Sequence, residues 1–500
     1  MNREKKLKYN TIVALLNQII TIVCGFILPR FFLKNYGSQV YGLVSSISQF
    51  LGFVTLMELG MGAVVQSALY RPLANRDNNE ISRIVISAER FFRRIAIAFL
   101  GYTIVLMFIY PVYIQNKYSW WFEASLVLII SISSLAEYFF GITYRLLMMA
   151  DQVAFITLGL QSIGLTLNFI VCVILMKMGA SIQVVKLASA VVLLIRPIGQ
   201  NIYVKKKYDI DKHILIIDEP IKQKWNGIAQ HIAYYVTNNT DTIVLSIMST
   251  LESVSIYAVY NMVVSGIKQL VLTLNTGVQS LFGNMLANNE INELSKRFKF
   301  FEWKMHSIVT VLFSCVAILI IPFVMVYTNG IEDANYRQPL FALLMTAAQA
   351  AYCIRLPYNT MVCAAGHYKE TQISAIIEML LNLVITILLV SKVGLVGVAI
   401  GTLVALAYRT VYLAHYISRG IITYRFRYFW KNLLVDMIVF VLSYGVSSMV
   451  SFEPVSYIEW ATMAFVVFIF VVLIHILVNI IFYRDYVVSF FYSIVKRGIG

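Results

Sequence analysis

The sequence predicts an all-α, polytopic membrane protein with about fourteen transmembrane helices. Three observations carry that prediction. Apolar residues make up 59% of the 500 and charged residues only 13%, whereas a soluble domain carries about 25% charge. Mean hydropathy is +0.76. Runs of the ~20 apolar residues that a bilayer core requires recur from residue 11 to 483, with little hydrophilic sequence between them. The close spacing describes one membrane body, not a globular head on an anchor.

The spans are expected at 11–33, 41–66, 91–114, 122–147, 153–176, 180–203, 227–249, 254–286, 304–327, 338–363, 371–391, 394–417, 430–450 and 459–483. The first follows a basic start, as in a signal peptide. Its apolar run is longer than a signal h-region and lacks an Ala-x-Ala-like cleavage site, so it reads as a retained span. Charge placement tests the rest. With the N-terminus in the cytoplasm, twenty-nine Lys and Arg fall on inside segments and adjoining span ends, Arg145 among them. Only Lys34, Lys117, Lys177, Arg337 and Lys392 fall outside. That bias predicts an even number of spans with both termini cytoplasmic. The net charge of +15 is therefore mostly membrane topology, and no basic folded domain is left to bind nucleic acid. The five cysteines all lie in apolar runs without Cys-x-x-Cys spacing, as expected of small lipophilic packers and not of disulfides or a metal site.

A weak internal repeat runs at an offset near 214 residues. Tyr144, Ala150, Leu167 and Asn168 recur as Tyr358, Ala364, Leu381 and Asn382, and Arg196 recurs within a residue as Arg409. Two like-oriented halves are a transporter architecture. The expected domains are an N-lobe at 1–203, a Lys-rich cytoplasmic linker at 204–226, a C-lobe at 227–417, and terminal spans with a basic tail at 418–500.

Charges left inside the spans are the informative residues, since each costs about 2.5–3.5 kcal/mol to insert. They are Arg30, Lys186, Arg196, Lys268, Arg355 and Arg409, with Glu58, Glu137, Asp241, Glu378 and Asp436. The alternatives to a functional role are snorkelling and structural ion pairs. Snorkelling is the expectation for Arg30, Lys186 and Asp436, which lie toward span ends. Helical spacing places Tyr257, Asn261, Ser265, Lys268, Asn275 and Gln279 on one face. Tyr41, Ser45, Ser48, Thr55, Glu58 and Gln66 make a similar stripe in the second span. These faces are expected to line an aqueous cleft; the alternative is two polar seams in ordinary helix packing. Asp241, within Thr237-Asn238-Asn239-Thr240-Asp241-Thr242, points to a water-filled lumen or an ion site, or else to a packing network. Pro357 is expected to disturb the helix beside Arg355. The candidate substrate contacts are thus Lys268, Arg355, Arg30, Glu58, Asn261, Asn275 and Arg409, and the ion-coupling candidates are Asp241, Glu58 and Glu378. No P-loop, Gly-x-Ser-x-Gly, His-Glu-x-x-His or Gly-x-Gly-x-x-Gly occurs, so neither an enzyme nor a cofactor is expected. An ion gradient or the substrate's own gradient would then drive transport.

Several segments carry a family resemblance. They are Asn35-Tyr36-Gly37-Ser38-Gln39-Val40-Tyr41-Gly42-Leu43-Val44, Glu58-Leu59-Gly60-Met61-Gly62, and Asn239-Thr240-Asp241 followed by Tyr257-Ala258-Val259-Tyr260. Ala364-Ala365-Gly366 with Asn382, Gly394 and Gly397 completes the set. Together the chain resembles the Wzx-type polysaccharide-unit flippases of the multidrug/oligosaccharidyl-lipid/polysaccharide exporter superfamily, although Asp is commoner than Glu at the position of Glu58. The resemblance implies two pseudo-symmetric six-helix lobes plus a terminal pair, with a lumen opening alternately to each side of the bacterial cytoplasmic membrane. It also implies a polyprenyl-diphosphate-linked oligosaccharide as substrate, with membrane lipids and other polysaccharide-assembly membrane proteins as partners. Cations in the lumen suit such an anion. The related lipid II flippases use charged residues in the first, second and eighth spans. Arg30, Glu58 and Lys268 occupy those spans with different local spacing, so the charge logic carries over and residue identity does not. Two alternatives are a cation-coupled drug antiporter of the same fold, which would prefer an acidic lumen, and a glycan polymerase, which would carry a large external loop.

Overall fold

Helices occupy the predicted spans in the computed structural model, which describes residues 3–55, 61–113, 118–211, 214, 228–275, 278–448 and 453–498. Among these there is no strand. Lipid offers no hydrogen-bond partner to the backbone, so a spanning segment must satisfy its own amides, which an α-helix does.

In chain order the helices are α1 (Arg3–Leu51), α2 (Met61–Asn75), α3 (Asn78–Tyr113), α4 (Trp120–Ala150), α5 (Ala154–Lys177), α6 (Ile182–Lys207) and α7 (Ile228–Met248). They continue as α8 (Leu251–Leu274), α9 (Val278–Ala287), α10 (Ile291–Tyr327), α11 (Pro339–Ala364), α12 (Gln372–Val393) and α13 (Leu395–Ser418). The last two are α14 (Arg427–Ser448) and α15 (Tyr457–Gly498). Twelve helices among the described residues are long and apolar enough to cross a membrane. Two further predicted spans complete the fourteen. α1 holds the first span and the start of the second, divided at Gly37, whose φ of 79° only glycine adopts without strain. α7 is less apolar because its polar run interrupts it. Glu58 and most of the expected linker lie outside the described residues.

The chain divides into two compact units, Met1–Tyr235 with Thr250–Ser255, and Val236–Ser249 with Ile256–Gly500. In the first, α1 packs on α5 and α4 packs on α3 and α6 around Leu43, Ile47, Val65, Phe92, Phe99 and Leu147. The first turn of α8 joins this unit, where Glu252 accepts from Gln39 Nε2 at 2.6 Å. In the second, α12 and α11 pack on α13, and α14 and α15 pack on α10. Large apolar side chains such as Leu15, Phe108, Ile163, Leu388 and Phe465 are exposed, as a lipid-facing surface requires.

Of the residues expected to snorkel, Asp436 does not. It is buried at 9% exposure and hydrogen-bonded to His306 and Thr310. Its position near a predicted span end misled, because α10 runs alongside and supplies partners. Lys186 stands over the Phe32 ring at 4.3 Å. Arg30 is half-buried on α1.

Candidate functional site

In the second unit, two of the candidate cations converge on one carboxylate and a third shares a ring with one of them. Glu378 lies on α12 at 2% exposure. Its Oε1 accepts from Arg355 Nη1 of α11 at 2.6 Å, and its Oε2 accepts from Arg409 Nη1 of α13 at 2.6 Å. Both arginines are buried. The guanidinium of Arg355 also stacks 4.5 Å from the Tyr352 ring centroid, and Lys268 Nζ of α8 lies 3.9 Å from that centroid. One aromatic ring therefore serves two cations, each over its π-system, which the ring quadrupole favours.

The local sequence explains this placement. α11 is interrupted at Arg355, because Pro357 has no N–H to give the carbonyl one turn back. Arg355 sits at that break, as Pro357 predicted. Glu378 has each oxygen committed to one arginine, so a single negative charge faces two guanidinium groups and the nearby Lys268 ammonium. The group holds an excess of two positive charges. Arg409 Nε is buried without a hydrogen-bond partner. Charges removed from water seek counterions strongly, and Glu378 is the counterion that these contacts show for both arginines. Elsewhere on the stripe, Asn275 bonds Thr360 of α11 at 3.0 Å and Asn261 accepts from Ser265 at 3.0 Å.

The first unit carries a related grouping. Glu137 Oε1 lies 3.2 Å from Arg145 Nη1 of its own helix and 3.8 Å from Arg196 Nη2 of α6. Glu137 opens a π-turn, Glu137–Gly141. In a regular α-helix, residues eight apart are rotated by about 80° from one another. The extra residue of a π-turn removes that offset and brings Arg145 onto the face of Glu137. A Cβ at Gly141 would stand 2.7 Å from Glu137 Oε2 and 3.0 Å from Pro197 Cβ, so the Glu137 carboxylate would have to move to admit one. These three charges line a cavity of about 500 Å³ together with Ser48, Thr55 and Gln161. Sequence reasoning marked Glu137 and Arg196 as intramembrane charges but assigned Arg145 to membrane topology. Its spacing from Glu137 is diagnostic only once the π-turn is known.

Asp241 of α7 occupies a separate shell in the second unit. Its Oδ2 accepts from Thr402 Oγ1 at 2.8 Å and Tyr257 Oη at 3.1 Å, and its Oδ1 accepts from Asn382 Nδ2 at 3.4 Å. Asn382 Oδ1 and Thr386 Oγ1 are buried without partners. The shell is thus one buried carboxylate that takes hydrogen bonds from two hydroxyls and one amide. No group of three or more His, Cys, Asp and Glu able to hold a metal occurs among the described residues. The structure thus brings Lys268, Arg355, Arg409 and Glu378 together and sets Asp241 apart from them. Arg30 belongs to the first unit.

No protein-family model matches the chain, and no curated protein matches its sequence. Solved structures do. The chain is similar to the lipid II flippase MurJ in an inward closed conformation, with 15% identity, a TM-score of 0.70, and 95% of this chain and 99% of that one covered. It is similar to an inward-facing multidrug resistance MATE family transporter of the MOP superfamily, with 13% identity, a TM-score of 0.52, and 83% and 97% covered. A Vibrio cholerae MATE transporter, VcmN D35N, matches with 13% identity, a TM-score of 0.50, and 84% and 100% covered. The chain therefore has the polytopic helical fold of these membrane transporters.

Proposed function

We propose that the chain is a flippase that moves polyprenyl-diphosphate-linked oligosaccharide units across the bacterial cytoplasmic membrane for cell-surface polysaccharide synthesis, in an alternating-access cycle. The observation that carries this reading is the cationic excess of Lys268, Arg355 and Arg409 around the single Glu378. A diphosphate is the anion such a group suits: guanidinium forks match its oxygens, and low dielectric strengthens the pairing. The MurJ-like fold supports a lipid-linked substrate. The cationic excess weighs against the drug-antiporter alternative, since an organic cation would be repelled.

The direct test is translocation of a labelled lipid-linked oligosaccharide in proteoliposomes containing the purified chain. Translocation above protein-free vesicles is expected; none across a panel of lipid-linked glycans would sink the reading.

The Asp241 shell supports coupling to a monovalent cation. Asp241→Asn is expected to abolish stimulation by an imposed cation gradient while leaving gradient-independent exchange in place. Losing one charged ligand costs about 1.5–3 kcal/mol, a ten- to hundredfold weaker site. Flux measured with and without the gradient decides it. Equal stimulation of variant and wild type would remove Asp241 from coupling.

A further inference from the structure

A second set of ionisable side chains in the second unit belongs to neither the arginine–glutamate cluster nor the Asp241 shell. Glu302 and His306 stand four residues apart on α10 and so share a face. Glu302 Oε1 accepts from Tyr358 Oη at 2.6 Å and from Tyr424 Oη at 2.5 Å. His306 Nε2 lies 3.1 Å from the same Tyr358 Oη, and His306 Nδ1 lies 2.5 Å from Asp436 Oδ2 of α14. Thr310 donates to Asp436 Oδ1 at 2.6 Å. Glu302, His306 and Tyr358 are 1%, 2% and 0% exposed, so bulk water does not insulate the chain.

The hydrogen-bond directions follow from counting protons. Tyr358 has one hydroxyl proton and gives it to Glu302, so His306 Nε2 must carry a hydrogen and donate to Tyr358. The short His306–Asp436 contact then shares one proton, held as imidazolium with carboxylate or as imidazole with carboxylic acid. Every bond from His306 onward points toward Glu302. Glu302 in turn lines a cavity of about 270 Å³ with Asp485, Tyr428 and the basic Lys299, Lys431 and Arg484, the last three of the kind the charge bias assigns to the cytoplasm. Asn432 of α14 and Tyr483 and Tyr486 of α15 also face Glu302. His475 of α15 lies within electrostatic range of Asp436.

We infer that Asp436, His306, Tyr358 and Glu302 form a proton-binding relay that exchanges a proton with water in this cavity. The inference rests on reading the chain as a transporter, and it adds a proton as a second coupling ligand. In the transfer, the Nε2–H bond of imidazolium His306 breaks and its proton joins the Tyr358 oxygen. The Tyr358 hydroxyl proton moves to Glu302 at the same time. His306 ends as neutral imidazole with its remaining proton on Nδ1 toward Asp436, and Glu302 ends as a carboxylic acid. Net charge is unchanged until Glu302 releases its proton to cavity water. A structural His–Asp pair alone needs neither the bridging tyrosine nor a second acid at a cavity.

Tyr358→Phe is the informative variant, because it deletes only the bridging hydroxyl while the ring keeps its packing on Phe298 and Phe429. Infrared difference spectra of the purified full-length chain are expected to show a carboxylic-acid carbonyl band that titrates with pH and disappears in Glu302→Gln. In proteoliposomes, Tyr358→Phe is expected to lose about tenfold of the translocation driven by an imposed proton gradient, the scale of one hydrogen bond. Exchange without a gradient is expected to stay at the wild-type value, with a drop in melting temperature no larger than one lost buried hydrogen bond gives. A band that does not titrate, or that survives in Glu302→Gln, overturns the relay. So does a Tyr358→Phe variant that loses melting temperature and both transport modes in parallel, which marks a structural network. The infrared titration needs no glycan, so it decides the relay even if the substrate reading fails.

Discussion

The Lys268→Ala, Arg355→Ala double variant is expected to lose nearly all translocation of a lipid-linked oligosaccharide while remaining folded and inserted. Each charge-assisted contact is worth about 1.5–3 kcal/mol, or roughly ten- to hundredfold in affinity for the bound state. The two cations share the Tyr352 ring, so their effects will couple and need not add. Lys268→Arg is expected to retain more activity than Lys268→Ala, because charge matters there more than shape. Over-tight binding slows release, so the loss in rate is expected to be smaller than the loss in affinity. Complementation of a flippase-deficient strain, with membrane expression measured in parallel, gives the answer. Full activity of the double variant would falsify the substrate role and leave both residues as structural cations.

Glu378→Ala is expected to have the largest effect on stability. Removing this carboxylate leaves Arg355 and Arg409 buried without their shared counterion, and breaking a buried pair from one side costs about 3–5 kcal/mol. The measurement is thermal or denaturant unfolding in detergent. Restoring charge balance offers a control: Glu378→Ala combined with Arg409→Ala is expected to recover part of the loss, since only one arginine is then unpaired. An unchanged melting temperature for Glu378→Ala would show that solvent or lipid headgroups already satisfy the two arginines. Each Glu378 oxygen accepts from one arginine, so the carboxylate holds two guanidinium groups side by side.

Much of the candidate site was legible as a list of residues and little of it as an arrangement. Lys268, Arg355, Arg409, Glu378 and Asp241 stood out because a charge in an apolar run is expensive and so needs a reason. That cost says nothing about the partner. Arg355 and Glu378 are 23 residues apart and lie on different helices, and which faces meet depends on the rotation of each helix about its axis. The same limit hid the network of Glu302, His306 and Asp436. Glu302 precedes the predicted span in a charged stretch, so it read as loop, whereas α10 runs unbroken from Ile291 to Tyr327. His306 and Asp436 are 130 residues apart, beyond the reach of any local pattern.

The sequence by itself determined the membrane class, the helical spans and the charges that had to be accounted for inside them. Lipid makes this possible, because a solvent without hydrogen bonds forces long apolar helices and penalises every exception locally. Only the tertiary structure decided which charges pair, because pairing depends on helix rotation, on the π-turn that aligns Glu137 with Arg145, and on the break that Pro357 opens at Arg355. Those are properties of packed helices, and no hydropathy profile contains them.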